Sequence, residues 1–224
     1  MLALALLASA PAQAAVLVLS ASGPGVAARY KPGAMVEAGS ITLAAGEWLS
    51  VLVNGRVQRL NGPTSLRATA VQPAERKIME SISSGLRRAQ ARQVELGVVR
   101  GGSGDQRAAD PWMIDVSRND TVCVRSGTRP VLWRADASAT LRMSLEDRES
   151  GARRFFTWRA GEASAIWPEA LAVRTGEFLI SDSLSASRQL RVVVVAETLQ
   201  ESALLAELAE QECLTQLQGL ASGG

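Results

Sequence analysis

The sequence predicts a mainly β protein with two β-units, joined by an amphipathic helix and followed by a C-terminal helix. Two observations predict the β-units. An Asn-Gly pair separates two apolar-alternating runs at 48–53 and 56–60, and eight further short apolar runs follow residue 110. A third observation predicts the joining helix, because the hydrophobic period becomes helical over 73–97. The composition agrees, since 47% hydrophobic and 21% charged residues are typical of a folded globular protein.

Residues 1–14 are predicted to be a signal peptide. An apolar stretch from Leu2 to Leu7 precedes small residues that end in Ala12-Gln13-Ala14, so cleavage is expected after Ala14. No basic residue precedes the apolar run, because Arg29 is the first charged residue. Cleavage predicts a periplasmic or secreted protein, whereas the alternative keeps residues 1–22 as a membrane anchor.

Residues 15–72 are predicted to form a small β-unit. Strands are expected at 15–19, 40–43, 48–53 and 56–60. Gly23-Pro24-Gly25 interrupts this unit, and Gly62-Pro63 closes it. Asn54-Gly55 predicts a two-residue type I′ hairpin turn, since both residues tolerate a positive φ.

Three segments of this unit carry a family resemblance. They are PGAMV at 32–36, ITLAAGE at 41–47 and VQRLNGP at 57–63. Together they resemble the FecR-type extracytoplasmic β-domain. The resemblance implies a glycine-punctuated series of short periplasmic strands beside a membrane segment or a signalling partner. Better-known members add a transmembrane helix and a cytoplasmic regulator-binding segment that this sequence does not show, so direct control of a sigma factor is not implied.

Residues 73–110 are predicted to be an amphipathic helix and a glycine-rich linker. Ile78, Met79, Ile82, Leu86, Ala89 and Leu96 fall on one helical face, and Lys77, Arg88 and Arg92 fall on the opposite face. Pro73 suits the first turn, Gly97 suits the end, and Gly101-Gly102-Ser103-Gly104 is typical of a flexible linker. The apolar stripe is expected to pack on a neighbouring sheet; the alternative is that the basic helix lies on an anionic membrane surface.

Residues 111–197 are predicted to form an immunoglobulin-like antiparallel β-sandwich. Strands are expected at 112–116, 121–124, 131–134, 140–145, 155–158, 163–167, 177–180 and 190–196. Each of four tryptophans lies in one of these runs: Trp112, Trp133, Trp158 and Trp167. Core packing is the expected role of these indoles, and a sugar- or peptide-binding platform is the alternative.

A second resemblance covers most of the mature chain. Its segments are DV at 115–116, TVCV at 121–124, LWRAD at 132–136, WRAG at 158–161 and WP at 167–168. They are similar to an uncharacterised family of secreted proteobacterial proteins that join a FecR-like N-terminus to a sandwich and a C-terminal helix. The resemblance implies this architecture and export, and it implies no activity.

Residues 198–220 are predicted to form a single C-terminal helix. Thr198 and Glu201 have the spacing of a capping box. Leu205, Ala209, Cys213, Leu217 and Leu220 lie on one side of this helix, where Glu212 and Gln216 intrude. Five glutamates and no basic residue occur over 197–212. This charge opposes the basic helix, and the two are expected to be separately solvated faces, with mutual attraction as the alternative.

The residue types argue against catalysis and metal binding. Histidine is absent, which removes the commonest general base and metal ligand, and two cysteines are too few for a structural zinc site. Neither Lys31 nor Lys77 ends a Ser-x-x-Lys motif, and no Gly-x-Ser-x-Gly elbow occurs. The remaining enzymatic option is a carboxylate pair such as Asp115 with Asp136. We therefore predict no catalytic, metal-binding or cofactor-binding residues and no cofactor.

Cys123 and Cys213 are predicted to form a disulfide that links the second strand of the sandwich to the C-terminal helix. An exported chain meets an oxidising compartment, where two cysteines are more often paired than free. Two buried free thiols or a redox role are the alternatives. The cysteines lie 90 residues apart, a loop for which the chain-entropy model gives about 4–5 kcal/mol of stabilisation.

These observations predict a non-catalytic periplasmic or envelope interaction module. Its partner is expected to be an unknown envelope protein, such as a membrane sensor or signalling protein, bound through a sheet edge or the sandwich loops. The alternative is a structural envelope protein in peripheral contact with a membrane surface. A net charge of +2 without interleaved aromatic residues argues against nucleic acid. The sequence does not predict an oligomeric state.

Overall fold

The computed structural model describes residues 14–23, 25–37, 39–95, 110–118, 120–183 and 187–222. Strands account for 40% of the described residues and helices for 23%, which confirms the mainly β prediction. The predicted signal sequence up to residue 13 and the linker at 101–104 lie outside the described residues. No described helix combines the length and apolar character needed to cross a membrane.

The N-terminal unit is built from seven strands and one short helix. The strands are β1 (Ala14–Ser22), β2 (Met35–Val36), β3 (Ser40–Leu43), β4 (Trp48–Val53), β5 (Arg56–Asn61), β6 (Thr64–Arg67) and β7 (Thr69–Ala70), and the helix is α1 (Val26–Arg29). One sheet has the order β2-β1-β4-β5, with β7 paired to the start of β1, and β3 pairs with β6. Every pairing here is antiparallel.

The predicted hairpin between β4 and β5 is confirmed. Val53 pairs with Arg56, so Asn54 and Gly55 alone form the turn. Their φ angles are 49° and 71°, and two successive positive φ angles define the type I′ turn that matches the twist of adjacent strands.

Strand β1 is buried on both faces. Val16 and Val18 contribute to a core with Ile41, Leu43 and other residues of the N-terminal unit. Leu17 and Leu19 point to the opposite face, because successive side chains alternate along a strand, and they join a second core with the helices.

The predicted amphipathic helix is α2 (Pro73–Glu95), and its apolar stripe packs as expected. Met79, Ile82, Leu86 and Ala89 are buried against β1 and the C-terminal helices. The packing is close, since a Cβ atom placed on Gly85 would lie 2.6 Å from the Cβ atom of Ala209. The predicted contribution of Leu96 lies outside the described residues.

The prediction of one C-terminal helix over 198–220 is wrong. Two helices are present, α3 (Glu201–Glu210) and α4 (Leu214–Ala221), and Glu212 between them has a φ of 62°, which no α-helix continues through. The prediction of a capping box at Thr198 and Glu201 is also wrong. Gln200 occupies the N-cap position without a side-chain hydrogen bond, and Glu201 has a φ of 46°.

The charged faces are solvated, as expected, but they also meet in the way of the alternative, because α2 packs along α3 and α4. Arg88 donates to the carbonyl oxygen of Ala209 at 2.7 Å, and Arg92 lies 3.3 Å from the carboxylate of Glu212. Both arginines remain exposed to solvent, so the buried apolar stripe contributes most of the stabilisation.

All eight strands predicted in the second unit are present. They are β8 (Ile114–Asp115), β9 (Asp120–Arg125), β10 (Val131–Trp133), β11 (Leu141–Asp147), β12 (Arg153–Trp158), β13 (Ser164–Ile166), β14 (Gly176–Asp182) and β15 (Arg188–Val195). The strand predicted at 112–116 is shortened to β8. A five-stranded sheet has the order β12-β11-β14-β15-β9, and a three-stranded sheet has the order β13-β10-β8.

The prediction of uniformly antiparallel pairing is wrong at two places. Strand β9 runs parallel to β15, and β8 runs parallel to β10. A parallel pair needs a long connection, and the strands from β10 to β14 supply it between β9 and β15. The core of this unit contains Trp158, Trp167 and Phe178, with the last two rings in edge-to-face contact at 5.1 Å.

The three long helices form a layer that contacts both β-units. One hydrophobic core joins Leu17 of β1, Leu86 of α2, Val193 of β15 and Leu217 of α4. The predicted disulfide between Cys123 and Cys213 is confirmed, and it links β9 to the residue that precedes α4 at a Cα–Cα distance of 5.7 Å. Through Cys123 of β9 and Val193 of β15, the helical layer packs on one face of the five-stranded sheet.

Candidate interaction surface

The five-stranded sheet ends in two edge strands, β9 and β12. An edge strand carries backbone N–H and C=O groups that no neighbouring strand satisfies, so it can pair with a strand of another chain. The sequence predicts binding through a sheet edge or through the sandwich loops. These two edges and the loops beside them are therefore the first candidates.

Strand β9 forms a sealed edge, because side chains occupy four of the six outward-facing backbone groups of Thr121, Cys123 and Arg125. The side-chain amide of Gln216 on α4 accepts from the N–H of Cys123 and donates to its C=O, both at 2.6 Å. The N–H of Thr121 donates to Asp120 Oδ1 at 2.9 Å, and the C=O of Arg125 accepts from Thr128 Oγ1 at 2.7 Å. Gln216 thus replaces a neighbouring strand at the centre of β9.

Helix α4 is fixed on this edge by two further links. The Cys123–Cys213 disulfide holds its N-terminal end, and Thr215 Oγ1 donates to Asp120 Oδ2 at 2.6 Å. Burial raises the pKa of Asp120, and the hydrogen bond from Thr215 opposes that rise. The sealed edge is defined here as β9 together with Gln216, Cys213 and Thr215.

Strand β12 forms an open edge, defined as Arg153–Trp158. The N–H of Asp147 donates to the C=O of Ala152 at 2.9 Å, so Asp147 and Ala152 form a hydrogen-bonded pair. Hydrogen-bonded and non-hydrogen-bonded pairs alternate along an antiparallel ladder, so the next residues of β12 that bond to β11 are Arg154 and Phe156. The backbone groups of Arg153, Phe155 and Thr157 therefore point away from the sheet. Within the described residues, one such group is occupied: the C=O of Arg153 accepts from Arg154 Nη1 at 2.9 Å.

An exposed aromatic ring lies at the centre of the open edge. Phe155 is 70% exposed, whereas its neighbour Phe156 packs partly against the core and Trp158 is fully buried. A large apolar side chain with this exposure on an unpaired edge is unusual for a soluble domain, because it favours association with other chains. This combination marks the open edge as the candidate interaction surface.

Arginines surround the open edge. Residues 140–160 contain five arginines against three acidic residues. Glu146 binds Arg153 Nε at 2.7 Å and Arg148 Nη1 at 3.1 Å, and the hydrogen bonds from Arg153 are the main cause of its lowered pKa. Arg142 and Arg154 are exposed and form no ion pair with any described residue.

A buried ion pair holds the turn that leads into the open edge. Asp147 accepts from Arg174 Nη2 at 2.5 Å and from Ser150 Oγ at 2.7 Å. Burial raises the pKa of Asp147, but the hydrogen bonds from Arg174, Ser150 and two backbone N–H groups outweigh it and lower the pKa from 3.8 to about 2. The turn between β11 and β12 is therefore a rigid support.

A buried arginine fixes the other end of β12. Arg134 donates to the carbonyl oxygens of Arg159 at 2.6 Å, Ala139 at 2.8 Å and Glu162 at 3.0 Å. Its guanidinium also lies 5.0 Å from the ring centroid of Trp158, a cation–π contact. Both ends of the open edge are thus held in place while its middle remains unpaired.

Strand β5 is a second exposed edge, in the N-terminal sheet. Five of its six residues are exposed, and the guanidinium of Arg59 lies 4.2 Å from the ring of Trp48. Its most exposed large apolar residue is Val57, at 37%. Strand β5 therefore offers far less apolar surface than the open edge.

The loops next to β9 enclose a shallow cleft of about 320 Å³. Arg129 and Glu169 form an ion pair of 3.2 Å at this cleft, while Trp167 and Leu171 lie at its base. The indole N–H of Trp167 donates to the C=O of Leu171, so the ring is part of the core. The cleft thus combines a paired charge with apolar residues of the core.

The structure assigns separate local roles to the carboxylates that the sequence offered as a catalytic pair. Asp115 accepts from Ser117 and binds Arg118 at 3.0 Å. Asp136 accepts from the N–H of Ser138 at 2.8 Å, and hydrogen bonds from Ser138 are the main cause of its lowered pKa. Both side chains close their own turns.

Two of the four tryptophans in the second unit are core residues, as predicted. Trp158 and Trp167 are fully buried. Trp112 and Trp133 are partly buried, and the guanidinium of Arg125 lies 4.6 Å from the Trp112 ring. Among the described residues, no group of three or more Cys, Asp or Glu side chains is arranged to hold a metal ion.

A scan against protein-family models finds no match, and no curated protein shows significant similarity to the chain.

The sequence did not reveal the role of Gln216 in sealing β9, because in the sequence Gln216 only interrupts the apolar stripe of a predicted helix. The sequence also did not indicate that Phe155 is exposed, because Phe155 and Phe156 are adjacent aromatic residues and either could face the core.

Proposed function

We propose that this chain is an exported, non-catalytic interaction module of the bacterial envelope, which binds a partner protein at the open edge. The observation that carries the proposal is the contrast between the two edges of one sheet. The chain seals β9 with a helix, a disulfide and a side-chain amide, and it leaves β12 unpaired around Phe155.

Export is supported by the disulfide. Disulfides persist in oxidising compartments such as the periplasm, and Cys123–Cys213 lies between the sheet and the helical layer. The signal-like pattern that ends at Ala14 agrees with export.

The two family resemblances are part of the proposal. Short antiparallel strands, punctuated by glycines with positive φ at Gly33, Gly46 and Gly55, support a FecR-like N-terminal unit. A five-stranded sheet packed on a three-stranded sheet supports an immunoglobulin-like sandwich for the second unit. A FecR-like unit beside a sandwich is consistent with a partner in a sensor or signalling assembly.

Membrane attachment through the basic helix is the less favoured alternative. The apolar stripe of α2 is buried, with Met79 and Ile82 fully inaccessible to solvent. A helix binds a membrane surface through its apolar face. Membrane binding by α2 would therefore require its separation from α3, α4 and β1.

Site-specific photo-crosslinking tests the proposed function. The phenylalanine analogue p-benzoylphenylalanine replaces Phe155 in the full chain, expressed and irradiated in the native host. A discrete covalent adduct is expected at this position. The same analogue at Ile166, which is 66% exposed on β13, is the matched control and should give none.

A strand-blocking substitution completes this test. Thr157→Pro removes an outward-facing N–H and should abolish the adduct at position 155, because proline cannot donate to a strand ladder. Adducts of equal yield at positions 155 and 166, or adducts that survive Thr157→Pro, would overturn binding at the open edge.

A further inference from the structure

We infer that the occupant of the open edge is an extended acidic segment of the partner protein, which adds to the sheet as a sixth strand. This inference rests on the proposed function and specifies the chemistry of the partner. Three observations carry it: the unpaired backbone of β12, the exposed ring of Phe155 next to the exposed guanidinium of Arg154, and the excess of arginine around them.

The backbone gives the mode of binding. Arg153, Phe155 and Thr157 direct their N–H and C=O groups outward over a strand of six residues. An extended segment is the shape that satisfies such a row, since its own groups repeat with the same period. The rigid turn at Asp147 and the bonds from Arg134 hold this row in place before binding.

The side chains give the chemistry of the two faces. Phe155 lies on the outer face of the sheet, and Arg154 lies on the opposite face, because successive residues alternate. An incoming strand with apolar residues on one face and acidic residues on the other would cover Phe155 and bring a carboxylate to Arg154. Exposed Arg142, across from Thr157 on β11, adds positive charge on the side of Phe155.

Arg154 also controls a backbone acceptor. Its guanidinium donates to the C=O of Arg153, which is one of the groups that an incoming strand needs. A carboxylate on the incoming strand draws the guanidinium away and frees that carbonyl for the new ladder. A neutral strand does not provide this exchange, so the arginine favours acidic partners.

The same charges disfavour a second copy of this chain as the occupant. Pairing two β12 strands would bring the arginines of both copies together at one junction, and charged residues on an edge are a known means of preventing such pairing. The same arginines attract an acidic segment. The open edge therefore disfavours pairing with a second copy of β12 and favours an acidic partner.

Peptide titration of the ¹⁵N-labelled full chain tests the inference. The probe is an acetylated eight-residue peptide that alternates valine with glutamate, and the matched probes replace glutamate with threonine or with lysine. The glutamate peptide is expected to shift the amide signals of Arg153, Phe155 and Thr157. It should bind about tenfold more tightly than the threonine peptide, as one charge-assisted contact predicts.

Two variants provide the controls. Arg154→Glu should reverse the preference, so that the lysine peptide binds more tightly than the glutamate peptide. Arg56→Glu makes the same change at an exposed arginine on the β5 edge and should leave both affinities unchanged. Equal binding of all three peptides, or insensitivity of the glutamate peptide to Arg154→Glu, would overturn the inference.

The outcomes separate this inference from the proposed function. If p-benzoylphenylalanine at position 155 yields its discrete adduct while the glutamate peptide fails to shift the β12 amides, the acidic occupant is wrong and the interaction module stands. If the chain instead forms a concentration-dependent dimer that Thr157→Pro abolishes, a second copy is the occupant and the inference is wrong.

Discussion

The two edges of the five-stranded sheet are strands of six residues each, but their outward backbone groups are satisfied to different extents. At β9, the Gln216 side chain and two local side chains satisfy four of the outward backbone groups, and a disulfide holds helix α4 against the strand. At β12, a single arginine occupies one outward carbonyl, and an exposed phenylalanine stands beside it. The comparison shows that side chains and a helix close the β9 edge of this sheet, whereas the β12 edge is left largely unpaired by the described residues.

Removal of the disulfide is expected to have the largest effect on the sealed edge. Cys123→Ser with Cys213→Ser releases a loop of 90 residues, which the chain-entropy model values at about 4–5 kcal/mol in the free energy of unfolding. Chemical denaturation of the double variant and of the wild type measures this loss. A loss below about 1 kcal/mol would show that Gln216 and the apolar contacts hold α4 without the disulfide.

Gln216→Ala should have a smaller effect on the same edge. It removes both hydrogen bonds to Cys123 and leaves a buried N–H and C=O unsatisfied. Such a change costs about 1–3 kcal/mol. Gln211→Ala is the matched control, because within the described part of the chain that side chain bonds to the side chain of Glu207 and to no backbone group. Chemical denaturation measures both variants. Equal denaturation midpoints for Gln216→Ala and Gln211→Ala would contradict the role assigned to Gln216.

At the open edge, the buried Asp147 links stability to pH. Its pKa is lowered to about 2 in the folded protein, against 3.8 for the free side chain. The carboxylate therefore stabilises the fold above pH 4, and this stabilisation is lost as the pH falls towards 2. Asp147→Asn should flatten the acid limb of the stability curve over that range. An unchanged acid limb would contradict the ion pair with Arg174.

Phe155→Ser should have the smallest effect on stability. The ring is largely exposed, so its loss should change the free energy of unfolding by no more than about 0.5 kcal/mol. Phe178→Ser is the contrasting variant, since that ring is fully buried in the core of the same sheet. A loss for Phe155→Ser that approaches that of Phe178→Ser would mean that the ring supports the fold.

The sequence predicted the strands, the hairpin turn and one long-range link of this comparison, the disulfide, but it missed the pairing of distant strands. The strands that became β9 and β12, the hairpin at Asn54-Gly55 and the disulfide follow from period, turn chemistry and cysteine count. Parallel pairing of β9 with β15 does not, because a strand shows the same alternation in either direction. The break before Cys213 was also hidden, since neither glycine nor proline marks it.

The open edge itself illustrates a further limit. Its strand was predicted at 155–158, but the sequence could not show that it lies at the end of the sheet, because strand order depends on contacts distant in the chain. Gln216 could not be recognised for the same reason, since its partner Cys123 is separated from it by 93 residues.

Amide hydrogen exchange of the free, full-length protein tests the central claim most directly. The N–H groups of Cys123 and Phe155 both point outward from an edge of the same sheet, and they differ in having or lacking a partner. Cys123 is expected to exchange only with the slow opening of the core, and Phe155 is expected to exchange rapidly. Comparable protection at Cys123 and Phe155 would contradict the assignment of one sealed and one open edge.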